Sequence, residues 1–129
     1  MTDPAPWRRQ LLAHALADAP LEACGLIAMD GVGRMVRAYP TRNAAETPAT
    51  AFTLDPDDHH AAIVDAESRG WRIGGVYHSH PRGPATPSPI DLRAPTDHEW
   101  IHVIVGLGAR TPEVRGWRIA DDAADEVQV

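Results

Sequence analysis

Apolar residues with helical spacing predict a helix near the start of the chain. We expect it to run over residues 7–19 and to stop at the proline that follows, because proline does not fit a helix interior. A second helix is predicted over residues 55–69, since Asp55 is a good N-cap, Pro56 suits the first helical position and Gly70 ends the helix. The apolar stripe of the first helix consists of Trp7, Leu11, Ala15 and Leu16.

Short apolar runs predict strands between and after these helices. A proline-rich loop and a short helix over residues 88–94 separate the third strand from the fourth. Because helical and strand segments alternate, we expect an α/β fold with a mixed, largely antiparallel sheet flanked by helices. The predicted strands cover residues 23–29, 34–39, 71–77, 100–107 and 114–119.

The length of 129 residues, of which 43% are hydrophobic, is that of one domain with one core. We expect a single domain over residues 1–129, with a core at about 7–119 and a weakly ordered acidic tail at about 121–129. No stretch approaches the roughly 20 apolar residues that span a bilayer, and the N-terminus lacks the apolar run of a secretory signal. The sequence therefore predicts a cytoplasmic protein without a membrane partner.

Charge and cysteine content narrow the candidate chemistry. The net charge is -6, and the longest basic run is Arg8-Arg9, which argues against nucleic acid as a partner. Cys24 is the sole cysteine. This excludes an intramolecular disulfide, a thiolate-rich structural zinc site and the Pro-Cys-x-x-Cys signature of the zinc deaminases. A metal ion would have to be held by histidine and carboxylate.

Two histidines end the third predicted strand. His78 and His80 point to the same side of an extended chain with their Cα atoms about 7 Å apart, while Ser79 faces away. Asp91, at the start of the short helix, can supply a third ligand. Three protein ligands with an open fourth position are the catalytic form of a zinc site. We expect one zinc ion per chain, although Fe(II) and Mn(II) accept similar ligands.

Two more side chains complete the predicted chemistry. Glu22 is the candidate general base, with Glu46 in reserve, and Ser88 can donate a hydrogen bond to an oxyanion. Ser88 and Asp91 also fit a capping box at the start of the short helix, which is compatible with both roles. Cys24 is interpreted as a small buried strand residue rather than a nucleophile.

A second zinc motif competes with this site. Residues 98–102 read His98-Glu99-Trp100-Ile101-His102 and fit H-E-x-x-H, which needs a helix to bring its two histidines together. The segment from Trp100 is rich in β-branched residues and predicts a strand, on which residues four apart lie about 13 Å apart. A zincin-type metalloprotease is therefore the less favoured alternative.

The four residues His78, His80, Ser88 and Asp91 fit the pattern H-x-H, seven residues, S, two residues, D. With this motif the chain resembles the JAMM/MPN metallopeptidase family and is similar to its small prokaryotic members. The resemblance spans about residues 7–119 and implies a cytidine-deaminase-like layering of sheet and helices. Further matching segments are PLEACGL at 20–26, NAAETPATAFTLDP at 43–56 and YHSHP at 77–81.

The resemblance also implies a substrate class. Members of this family cleave an amide, often an isopeptide, after the C-terminal Gly-Gly of ubiquitin or a ubiquitin-like protein, and small prokaryotic members also remove amino acids such as cysteine from sulfur-carrier proteins. We therefore expect such a protein, or its conjugate, as the partner, with its extended tail adding along a sheet edge. A non-catalytic MPN-type scaffold is the alternative, but such scaffolds typically lack a metal ligand, and here every position is filled.

Overall fold

The computed structural model describes residues 6–93 and 99–129, and its central feature is a six-stranded sheet. Each predicted helix and strand is present, with ends that differ from the prediction by no more than three residues. The predicted end of the short helix, Ala94, lies outside the described residues. The elements are α1 (Pro6–Asp18), β1 (Cys24–Met29), β2 (Met35–Thr41), α2 (Pro56–Ser68), β3 (Arg72–His80), α3 (Pro89–Arg93), β4 (Ile101–Gly106), β5 (Glu113–Ala120) and β6 (Ala123–Val127).

The strands lie in the order β2-β1-β3-β4-β5-β6. All neighbours pair antiparallel except β3 and β4, which run parallel from Gly75 opposite Ile101 to His80 opposite Gly106. A parallel pair needs a crossover connection, and the segment that crosses here carries α3. The predicted mixed, largely antiparallel sheet is confirmed.

Helices cover both faces of the central strands. α1 packs Trp7 against the face that carries Tyr77, and α2 packs Ala62 against Val76 on the opposite face. Because β1 is covered on both sides, it is buried along its whole length and reads as an unbroken apolar run. His78 follows Val76 by two residues and therefore shares the face of α2.

The ends of the long helices follow their sequence signals. The Asp55 carboxylate accepts from the backbone N–H of Asp58 at 3.0 Å, and Gly70 takes a φ of 78° just beyond the C-cap of α2. The predicted stripe on α1 was wrong at Leu16, which is 58% exposed, because it lies about 100° around the helix from the buried Ala15. No helix within residues 6–93 and 99–129 is long and apolar enough to cross a bilayer.

The prediction of a weakly ordered acidic tail was wrong, because residues 123–127 form the edge strand β6. This strand pairs antiparallel with β5, from Ala123 opposite Ala120 to Val127 opposite Gly116. Asp121 and Asp122 make the tight turn between them with φ of 54° and 60°, a conformation that aspartate tolerates better than most residues. The acidic composition of the segment indicated that its side chains are exposed. Its backbone can still form an ordered edge strand, because the hydrogen bonds to β5 do not depend on the side chains.

Gly106, at the end of β4, allows the segment after β3 to pack closely. A Cβ there would lie 2.5 Å from the backbone nitrogen of Ala85 and 2.7 Å from the carbonyl carbon of Pro84. We expect Gly106→Ala to lower the free energy of unfolding by about 1–3 kcal/mol, because backbone atoms must move. Gly31→Ala is the matched control, since a Cβ there meets nothing within 4 Å. Denaturant unfolding of the metal-free variants measures both, and equal effects would contradict this close packing.

Candidate metal centre

The C-terminal end of β3 brings two imidazoles together. His78 and His80 lie on one face of the strand with their Nε2 atoms 3.0 Å apart. The His78 ring is 1% exposed and stacks on Phe52, with ring centroids 4.4 Å apart and planes 20° from parallel. Phe52, which the sequence did not single out, lies in the loop before α2 and shields one face of the His78 ring from water.

Asp91 reaches the two histidines from the first turn of α3. Its Oδ2 lies 3.0 Å from Nε2 of His80 and 3.3 Å from Nε2 of His78. The backbone N–H of Ser88 donates to the same Oδ2 at 2.9 Å, and the backbone N–H of Asp91 donates to Oγ of Ser88 at 3.1 Å. The predicted capping box is thus present, and it holds the carboxylate against the imidazoles.

The three side chains fit a metal ion. Their ligand atoms all lie within 4.8 Å of one another, and the described residues contain no other such group of three or more. Tetrahedral zinc with bonds of about 2.0–2.1 Å needs ligand atoms about 3.3–3.4 Å apart. The observed separations of 3.0–3.3 Å are close to this spacing. His78, His80 and Asp91 can therefore hold one ion and leave a fourth position open.

A backbone carbonyl fixes the orientation of His80. Nδ1 of His80 donates to the carbonyl oxygen of Pro84 at 2.8 Å, so Nε2 is free to act as a ligand. The loop that supplies this carbonyl is itself held, since Nε1 of Trp117 donates to the carbonyl of Ala85 at 2.9 Å. The conformation of the loop after β3 is therefore part of the site.

Burial and mutual contacts shift the protonation of these side chains. Burial lowers the pKa of His78 and outweighs the opposing effect of Asp91. Burial by itself would raise the pKa of Asp91, but hydrogen bonds from the two histidines outweigh it and hold the pKa below its usual range. For His80, burial is outweighed by its contacts with Asp91 and the Pro84 carbonyl, so its pKa is raised. A carboxylate and a neutral imidazole are the forms that bind metal.

Glu22 lines the same cavity as His80, Ser88 and Asp91. The cavity is open and has a volume of about 640 Å³, and residues 50–54 form one of its walls. Glu22 is only 7% exposed, and burial raises its pKa from 4.5 to about 7, against the opposing charge of His80. The structure thus places a carboxyl group that titrates near neutral pH beside the candidate ligands.

The other predicted candidates lie elsewhere. Glu46 is exposed and does not line the cavity. Cys24 is fully buried and its Sγ lies 3.4 Å from Oγ1 of Thr41, and burial raises its thiol pKa, which does not suit a nucleophile.

The H-E-x-x-H segment does not form a helix in its described part. His98 lies outside the described residues, and Glu99 is exposed in a turn. His102 lies on β4, where burial lowers its pKa to about 4. The described residues 99–102 therefore do not form the helix that a zincin requires.

Comparison with known proteins agrees with this geometry. Residues 4–120 match the family model described as prokaryotic homologues of the JAB domain. The chain is 34% identical to the desampylase of Haloferax volcanii over 108 residues, which cover 80% of this chain and 78% of the relative. It is 34% identical to the CysO-cysteine peptidase of Mycobacterium tuberculosis over 123 residues, which cover 92% and 82%.

A solved structure shows the same fold. The solution structure of a Desulfitobacterium hafniense protein has a TM-score of 0.82 and 36% identity, covering 94% of this chain and 85% of that one. The family model spans nearly all of the sequence, and each of these relatives is more than 30% identical over most of the chain. The chain therefore belongs to the family of prokaryotic JAB-domain proteins.

Proposed function

We propose that this protein is a zinc-dependent metallohydrolase that cleaves an amide or isopeptide bond at the C-terminal Gly-Gly of a ubiquitin-like or sulfur-carrier protein. The observation that carries this proposal is the set of three ligand atoms, 3.0–3.3 Å apart, that lie in one cavity with the buried carboxyl of Glu22. Two relatives are named a desampylase and a CysO-cysteine peptidase. These names support a hydrolase that acts on the conjugate of a small carrier protein.

The residues at the end of β3 and the start of α3 would hold the ion. His78 and His80 present Nε2, and Asp91 presents a carboxylate oxygen. A zinc ion held by these residues would lower the pKa of a bound water toward about 7 and would polarise the substrate carbonyl. The Pro84 carbonyl and the Ser88 N–H orient these ligands, and such partners commonly contribute 10–100-fold to metal affinity.

Glu22 serves as the proton carrier. Its raised pKa, about 7, makes both the acid and the carboxylate accessible near neutral pH, which is the condition for efficient proton transfer in both directions. Its carboxylate takes a proton from the attacking water and delivers it to the leaving nitrogen.

Ser88 stabilises the charge that develops on the carbonyl oxygen. Its Oγ accepts a hydrogen bond from the backbone N–H of Asp91, which leaves the hydroxyl hydrogen to donate. Ser88 lines the cavity, so its hydroxyl can face the substrate. The capping and oxyanion roles use different parts of one hydroxyl group and do not compete.

The shape of the cavity suits an extended, small-residue tail. Much of its lining is apolar, and the lining includes residues 50–54 from the loop before α2 and residues 83, 84, 86–88 and 90 from the segment around the start of α3. One of the two sheet edges, β2, is partly occupied, since the Ala38 N–H of this strand donates to Oε1 of Gln10 at 2.9 Å. A Gly-Gly tail would instead lie along residues 51–53, next to the isolated bridge between Asn43 and Leu54.

A non-catalytic scaffold would not need these features. Neither a complete ligand set nor a buried carboxyl that titrates near pH 7 is required for assembly alone, and burying both costs stability. These observations favour the hydrolase over the scaffold.

Metal content tests the ligand set. Wild-type protein supplied with zinc should hold about one ion per chain. His78→Ala and Asp91→Asn should lose it, because each leaves only two ligands, whereas the control His98→Ala/His102→Ala should keep it. Elemental mass spectrometry on folded protein, checked by circular dichroism, gives the result. Loss in the control alone would favour the other motif, and a metal-free wild type would favour the scaffold.

Activity tests the role of Glu22. The probe is a ubiquitin-like carrier protein whose C-terminal Gly-Gly is joined by an amide to a fluorescent amine. We expect Glu22→Gln to retain zinc and to lower kcat by about 10²–10⁴-fold, because the proton carrier is lost. Glu46→Gln removes an exposed carboxylate outside the cavity and should leave kcat unchanged. A larger loss of kcat in Glu46→Gln than in Glu22→Gln would assign the role of proton carrier to Glu46.

Stability against pH tests the protonation of Glu22 in the metal-free protein. The folded protein keeps this proton up to about pH 7, whereas the unfolded chain loses it near pH 4.5. Between these values the folded state binds more protons, so its stability falls as pH rises. Because Gln does not titrate, the Tm of Glu22→Gln minus that of wild type should grow from about pH 4.5 to about pH 7 and then level off. A pH-independent difference, or the same trend in Glu46→Gln, would contradict the raised pKa.

A further inference from the structure

The loop between β2 and α2, residues 42–55, is called the wall loop here because its residues 50–54 line the cavity. It contacts the candidate site at two points: Phe52 stacks on His78, and the backbone of Glu22 is hydrogen-bonded to the loop. Asn43, near the start of the loop, makes one of the two hydrogen bonds in the second contact. No part of the proposed chemistry explains this residue.

The side-chain amide of Asn43 makes four hydrogen bonds. Nδ2 donates to the carbonyl oxygens of Glu22 and Ala51, both at 3.0 Å. Oδ1 accepts from the backbone N–H groups of Ala45 at 3.0 Å and Thr53 at 3.1 Å. The partners fix the orientation of the amide, since carbonyls only accept and N–H groups only donate. Among side chains, an amide of this length supplies two donors and two acceptors at once.

Both backbone groups of Glu22 are bonded to the wall loop. Its N–H donates to the carbonyl oxygen of Pro48 at 2.8 Å, and its carbonyl accepts from Asn43. On the other side, the N–H of Ala23 donates to Oγ of Ser79 at 2.8 Å, which joins this segment to β3 between the two histidines. Glu22 precedes the first residue of β1, so these contacts rather than a strand ladder hold its backbone.

We propose that Asn43 is a positioning residue that makes the Glu22 backbone and the cavity wall one rigid unit. A tail bound along residues 50–54 then lies against the same loop that sets the position of the carboxyl group. Asn43 thereby aligns the proton carrier with the scissile bond through the loop, without touching the metal ligands. The inference rests on the proposed function for its catalytic consequence, and its structural part stands independently.

The variant Asn43→Asp separates the two halves of the amide. Aspartate keeps an oxygen for the N–H groups of Ala45 and Thr53 but places a carboxylate against the carbonyls of Glu22 and Ala51. The matched control is Asp30→Ala, which removes three local hydrogen bonds, to the backbone N–H groups of Val32 at 3.0 Å and Arg34 at 2.9 Å and to Nε of Arg34 at 3.1 Å. That turn follows the last residue of β1, so along the strand it lies about 20 Å from Cys24, at the end near Glu22.

Kinetics with the carrier-protein probe give the first readout. We expect Asn43→Asp to keep its zinc and to lower kcat at least about 10-fold, because misplacement of a catalytic group affects the chemical step. Asp30→Ala should lower Tm without changing kcat. Wild-type kcat in Asn43→Asp, an equal loss in Asp30→Ala, or loss of zinc from Asn43→Asp would overturn the proposal.

Hydrogen exchange gives a second readout that needs neither activity nor a stable variant. In wild-type protein the amides of Glu22, Ala45 and Thr53 should show protection factors within about 3-fold of one another, because one rigid unit opens at once. The inference would be contradicted if the Glu22 amide exchanged as slowly as the core amides of β1 and β3 while the amides of Ala45 and Thr53 exchanged at the rates of exposed residues. If wild type fails to cleave the probe, the proposed function fails and exchange alone decides the role of Asn43.

Discussion

The antiparallel pairing of β1 with β3 places Cys24 opposite His78, and the candidate site is arranged around this register. Glu22 lies two residues before Cys24, so it arrives beside the strand end that carries both histidines. A slip of one residue would turn the histidines to the face of α1, because side chains alternate along a strand. Contacts on both faces oppose such a slip, and Gly25 contributes, since a Cβ there would meet the ring of Tyr77.

The contacts that satisfy the buried side chains of Asp91 and His80 are also the contacts that orient them. A buried carboxylate or imidazole without a partner would cost several kcal/mol. Asp91 obtains a partner from the N–H of its own helix cap, and His80 obtains one from a carbonyl in the loop that follows it. These partners come from different segments, so the geometry of the site depends on the fold as a whole. The Glu22 carboxyl is buried beside Asp91 and His80, and its raised pKa is the consequence of this burial.

Features that depend on residues close together in the sequence were predicted correctly, and features that depend on long-range contacts were not. The start of α2, the histidine pair and the capping box were found correctly because each depends on residues within a few positions of one another. The order of the acidic tail was missed, since it depends on pairing with a strand that side-chain composition does not reveal. Phe52 and Asn43 were also missed as individuals, although their segment was recognised. Their contacts with His78 and Glu22 join parts of the chain that lie more than 20 residues apart.

The two zinc motifs show where sequence stops being sufficient. Both H-x-H and H-E-x-x-H can be recognised in the sequence, but only the first lies on the secondary structure that its motif requires: His78 and His80 lie on one strand face, whereas His102 lies on a strand rather than on a helix. The sequence alone was sufficient to predict the candidate ligands, the strand that carries two of them and the resemblance to a family, because these predictions depend on local periodicity and spacing. Tertiary structure alone decided that Asp91 meets the histidines, that Glu22 is buried beside them and that the wall loop holds Glu22, because these depend on strand register and on long-range contacts that no local pattern encodes.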